Sequence, residues 1–206
     1  MWYVDEFLVP SLQEQGIADE DIIVGCDTNK EGCLENCMRL FANSTSPGGS
    51  WHLQDDVIIC RDFKERTDRL GGMVCGFGWT NDTYINQVGL VKHYEMWWSF
   101  PCMRIPNKVA RECAAWYYTE AKYQQRYAEW VREKKYDDSF FREFLRIFYP
   151  YAEVLTVKPS LVDHVDFLIG GTTVENQRTE EVHRARFFDD LDLVNELAEK
   201  IRQRGL

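Results

Sequence analysis

Two adjacent carboxylates interrupt an apolar run in Leu53-Gln54-Asp55-Asp56-Val57-Ile58-Ile59-Cys60. Charge placed beside a core is costly unless it is neutralised, and a divalent cation is the usual partner because hard oxygen donors suit magnesium or manganese. A metal held at a strand end also grips a diphosphate. A solvated turn is the ordinary alternative for such a dipeptide. Here Trp51 and His52 lead into the pair and Val57-Ile58-Ile59-Cys60 leads out, so a buried strand flanks it on both sides. A second acidic pair, Asp137-Asp138, stands with Ser139 where a helix should begin. One of these residues as a cap contributes about 1 kcal/mol, and capping does not need both aspartates. A carboxylate in the first turn of a helix is also held ionised by the helix dipole, as a general base requires. The third feature is His164, at the end of Pro159-Ser160-Leu161-Val162-Asp163. A lone histidine is more often structural, but its neutral imidazole completes a carboxylate metal site if the fold returns it to Asp56. His93 and His183 have no such companions.

The elements that must position these residues follow from periodicity. Phe7, Leu8 and Leu12 have helical spacing over residues 5 to 15, and Gly16 is a good stop. Asp21-Ile22-Ile23-Val24-Gly25-Cys26-Asp27 reads as a short buried strand ending on a carboxylate. Leu34, Met38 and Phe41 predict a helix over 33 to 42, and the loop from Asn43 to Gly49 breaks it. A strand follows from 50 to 60, interrupted at the acidic pair. Residues 71 to 102 read as strand-rich, with aromatics such as Trp79, Trp97 and Trp98 placed to stack on sugar or base faces. Helices are expected over 107–133, 137–148 and 188–203, with a strand over 152–157. Alternating helix and strand predicts an α/β fold with a mostly parallel central sheet flanked by helices. Residues 1–206 read as a single domain, with 179–206 a helical extension.

Composition bounds the partners. Thirty-four acidic against 24 basic side chains give a net charge of −10, which repels polyanions at long range. Arg126, Arg132, Lys134 and Lys135 form a basic group just before the second acidic pair, balanced by Glu129 and Glu133. No apolar stretch approaches the roughly 18 residues of a membrane span, and the start of the chain lacks a signal-peptide pattern. A cytoplasmic protein without membrane contact is expected. Seven cysteines, an odd number, read as free thiols filling apolar segments. Cys33 and Cys37 lie one turn apart, with no second pair at zinc-finger spacing.

Taken in order, Asp27 at a strand end, Trp51-His52-Leu53-Gln54-Asp55-Asp56 before an apolar strand, an acidic pair opening a late helix, and Pro159-Ser160-Leu161-Val162-Asp163-His164 resemble a GT-A type glycosyltransferase. The resemblance is to the small kind encoded by bacteria and phages, and it spans about residues 4 to 178. It implies a single GT-A-like, Rossmann-like domain using Mn2+ or Mg2+ and a nucleoside diphosphate sugar, with UDP-sugar the expected donor. Asp56, with Asp55, occupies the position of the family's metal motif, and His164 matches the late histidine that reaches the same metal. Asp138 or Asp137 matches the acidic catalytic residue. The resemblance also places Asp27 and Asp55 beside the nucleotide, and Gly170-Gly171 near the donor phosphates. A saccharide, a protein or a modified DNA base of a phage is the implied acceptor. Members usually open with a strand, whereas this chain starts almost directly in a helix. Two rival readings use the same residues: a metal-dependent hydrolase or nuclease, and a non-catalytic nucleotide- or sugar-binding module.

Overall fold

The computed structural model describes residues 2–77, 89–92, 100–133, 136–165, 168, 185 and 188–204. A π-helical stretch, Val4–Leu8, runs directly into helix α1 (Val9–Glu14), and Gly16 adopts a positive φ of 80° after it. Helix α2 (Cys33–Ala42) buries Leu34, Cys37, Met38 and Phe41, the one-face spacing that its sequence carries. Helix α6 (Asp137–Phe148) likewise buries Phe140, Phe141, Phe144 and Leu145, with acids in its first turn and Arg146 in its last. Between them lies helix α4 (Asn107–Thr119). The expected long helix over 107–133 is broken: it stops at Glu120 and resumes as α5 (Ala128–Glu133). The break folds Tyr127 back edge-on to Trp116, with ring centroids 5.5 Å apart. Burying each such aromatic is worth about 1.5–3 kcal/mol.

The strands differ from expectation. Strands β1 (Gly49–Leu53), β3 (Met73–Cys75), β4 (Gly89–Lys92), β5 (Cys102–Pro106) and β6 (Val154–Lys158) form one sheet in the order β1-β5-β3-β6-β4. Among the described residues only β3 and β6 pair in parallel; β1 with β5, β3 with β5 and β4 with β6 are antiparallel. The fold is therefore α/β with a mixed, mostly antiparallel sheet, not a mostly parallel one. Alternation of helix and strand predicts element types, but strand direction depends on which non-local edge each strand meets.

The acidic pair Asp55-Asp56 does split its strand, as expected. The second half, β2 (Val57–Ile59), leaves the main sheet and pairs antiparallel with β7 (Val162–His164). Backbone bonds stitch the two sheets together: Leu161 N–H donates to Gly76 O at 2.7 Å, and Cys60 N–H donates to Leu161 O at 2.9 Å. Gly76 is required by this close approach, since a Cβ there would lie 2.5 Å from the Cys102 sulfur.

The expected strand over 21–27 does not form. Asp19–Asp21 makes a single 3-10 turn, and residues 22–27 run without a ladder, leaving Ile23 69% and Val24 43% exposed. A β-branched run becomes a strand only when a sheet edge receives it. The core runs continuously from Tyr3 to Ile201 and includes the closing helix α7 (Leu191–Gln203) through Val194, Leu197 and Ile201. No described helix is long and apolar enough to cross a membrane.

Candidate functional site

The β2–β7 pairing sets Val57 opposite His164 and so carries the histidine to the acidic turn. Val165 N–H donates to Asp56 O at 2.9 Å, which extends the ladder by one bond and fixes the turn. His164 Nδ1 then lies 3.4 Å from Asp56 Oδ2. That is longer than a good hydrogen bond, so the two atoms converge without strong mutual bonding. The His164 ring is buried, edge-on to Phe77 at 5.3 Å. Asp56 Oδ1 is buried and has no hydrogen-bond partner among the described residues. An unsatisfied buried oxygen costs about 1–3 kcal/mol or more when charged, so something is needed to meet it.

A carboxylate oxygen and an imidazole nitrogen are donors for Mn2+ and its neighbours, and two ligand bonds of about 2.1 Å span their separation. The pair therefore fits the implied cation. Asp55 is less clearly a ligand. It stands at the rim with its carboxyl partly covered, and that desolvation and Asp56 beside it raise the carboxyl, with His164 acting the other way. Among the described residues, the only trio of ligand atoms all within 4.8 Å of one another is Cys60, Asp62 and Asp190. That trio is already met by cations: Arg66 lies 3.7 Å from the Cys60 sulfur and 3.7 Å from Asp62, and Arg61 bonds Asp190. Its thiol is pushed up to about 12, mainly by burial.

Two further groups bracket the turn. Tyr3 hydroxyl donates to Val57 O at 2.7 Å and is held protonated by burial and by Asp56. His52, on β1, packs edge-on to Phe41 at 4.8 Å, and its Nε2 is buried without a partner among the described residues. Burial lowers its pKa to about 4, so it is neutral at physiological pH. Sequence reasoning used His52 only as a flank; its type and nearness to Asp55 were the available signal.

The second acidic pair lies at the start of α6 and is not itself the cap. Tyr136 holds that position in a left-handed conformation, and the two aspartates form the first turn. Asp138 Oδ1 accepts Ser139 N–H at 2.5 Å. Asp137 is raised to about 6 by burial and by Asp138, while backbone N–H groups and the Cys33 thiol stabilise its charge. Cys33 belongs to the first turn of α2, so the two helix starts meet here. Asp27 joins the same corner, accepting Glu31 N–H and Gly32 N–H at 2.7 Å each. Its carboxylate shapes the loop before α2; it does not end a strand. Phe41 links the two corners, touching His52, Phe100 and Phe141.

The structure thus brings Asp56 to His164, and Asp27 to the α2 start that Asp137 also meets. Gly170, Gly171, Trp79, Trp97, Trp98, His93, His183, Lys134 and Lys135 lie outside the described residues. No family model, curated protein or solved structure matches the chain.

Proposed function

We propose that this chain is a metal-dependent glycosyltransferase of the GT-A type, moving a sugar from a nucleoside diphosphate sugar, UDP-sugar by preference, to an acceptor hydroxyl. The observation that carries the reading is the Asp56–His164 pair: two donors half the chain apart, 3.4 Å from each other, with Asp56 Oδ1 buried and unmet among the described residues. Asp56 and His164 would hold Mn2+ or Mg2+, with Asp55 at the rim. Such a cation neutralises charge developing on a leaving diphosphate. Tyr3 and the Val165 bond keep the acidic turn in place. Asp138, with Asp137 beside it, takes the proton of the acceptor hydroxyl, and Asp27 holds the loop before α2. The GT-A architecture itself rests on the order of these motifs along the sequence, since the sheet is mixed.

A screen of nucleotide sugars for Mn2+-dependent release of the nucleoside diphosphate tests the reading without knowledge of the acceptor. Release by the wild-type protein, lost on chelation and in Asp56→Ala, is the expected result. Release that survives both would overturn it, and so would a protein that binds Mn2+ but releases nucleoside diphosphate from none of the nucleotide sugars.

A further inference from the structure

A cleft of about 230 Å3 opens between α2, α4 and α5, lined by Glu31, Leu34, Glu35, Tyr117, Lys122 and Val131. Its apolar side is the half-buried Val131, with Leu34 and the Tyr117 ring fully buried behind the surface. Its wall is a fixed polar network. Glu35 Oε2 accepts the Tyr117 hydroxyl at 2.7 Å and Lys122 Nζ at 3.2 Å. The Lys122 ammonium lies 5.5 Å from the ring centroids of both Tyr117 and Tyr118, which hold it in place. Across the cleft mouth, Glu31 pairs with Arg39 at 3.2 Å. Each carboxylate has its own cation, so the wall is strongly polar and close to neutral. Burial works against the charge on Glu35, but the bonds from Tyr117 and Lys122 outweigh it and hold the carboxyl below its usual range. One residue before Leu34 on the same helix, Cys33 bonds Asp137 of the acidic pair of α6.

We propose that this cleft is the acceptor subsite and that it takes a neutral saccharide, an assignment that rests on the transferase reading above. The accessible Glu31, Glu35 and Lys122 groups, with the buried Tyr117 hydroxyl fixing Glu35 from behind, suit an array of hydroxyl groups, and Val131 suits the C–H face of a sugar ring. The volume lies below the roughly 300–1,000 Å3 of pockets for drug-sized ligands and suits one ring. A nucleic-acid acceptor would need uncompensated basic groups to neutralise phosphates, and here the carboxylates balance them.

Saturation-transfer NMR on the full chain, with methyl glycosides of glucose, galactose, mannose and N-acetylglucosamine and no donor present, tests the assignment. At least one glycoside should bind, with affinity falling at least tenfold in Glu35→Gln and in Lys122→Met, and unchanged in the remote Arg61→Ala. Circular dichroism and melting of each variant establish that it is folded. Lack of binding by all four glycosides, equal binding by folded variants, or a duplex oligonucleotide that binds and competes at this cleft would overturn it. Because donor is absent, glycoside binding without any nucleotide-sugar turnover would sink the transferase reading and leave the saccharide site standing. Turnover without glycoside binding would do the reverse.

Discussion

Two of the chain's three Asp-Asp dipeptides, Asp55-Asp56 and Asp137-Asp138, meet opposite treatment from the fold. Asp137-Asp138 sits in a helix first turn, where backbone N–H groups and the Cys33 thiol answer the charge. Asp55-Asp56 sits on a turn between two sheets, where the facing group is an imidazole and Asp56 Oδ1 meets no donor among the described residues. On the proposed reading the first pair moves a proton, its basicity kept by burial despite those donors, and the second pair holds a cation. The same two residues thus take different chemistry from the elements that carry them.

Several substitutions can break that contrast. The largest effect belongs to Asp56→Ala: metal-dependent turnover should fall to that of chelated wild-type protein. Its Mn2+ affinity, read by calorimetry, should drop by more than the roughly 10–100-fold typical of losing a mere outer-shell partner. Asp138→Asn should leave Mn2+ affinity intact yet slow transfer to acceptor by about 10²–10⁴-fold, the usual range for a lost general base. Equal loss of metal affinity in both variants would erase the distinction between the corners.

Acid provides the next contrast. Burial and the neighbouring Asp138 raise the Asp137 carboxyl to about 6, so the transfer rate should rise as pH passes through about 6 and Asp137 ionises, and Asp137→Asn should remove that inflection. The stability effects of Asp137 and His52 have opposite signs. The folded pKa of Asp137 is raised from 3.8 to about 6, so its contribution is most favourable below 3.8 and is lost as pH rises through 6. The pKa of His52 is lowered from 6.5 to about 4, so its contribution is full above 6.5 and is lost as pH falls toward 4. Melting curves should therefore show Asp137→Asn gaining most over wild type near pH 8, and His52→Leu gaining most near pH 4. The smallest effect is His52→Leu at neutral pH. Removing a buried ring nitrogen that has no partner among the described residues should offset the lost packing to within about 1–3 kcal/mol.

Much of this was legible in the residues. Helices α2 and α6 announce themselves through apolar groups returning every three or four positions, and the strand break at Asp55-Asp56 through two charges in an apolar run. The approach of His164 to Asp56 was legible only as a condition on the fold, because nothing local records which strand pairs with β2. Ile22-Ile23-Val24 misled for the same reason: its strand propensity is real, but among the described residues no edge receives it. The mixed sheet was equally hidden, since direction is decided by partners far along the chain. The Glu35–Tyr117–Lys122 network gave no signal, as its members come from separate segments and each alone is an ordinary surface or core residue.

The β2–β7 pairing also bears on when the site comes into being. Val57 and His164 stand about half the chain length apart, so their contact closes a long loop, and such contacts form late because the entropy of closure precedes any reward. A nascent or partly folded chain therefore presents Asp55-Asp56 without its imidazole. The two side chains proposed to hold the cation come together only when that distant pairing forms.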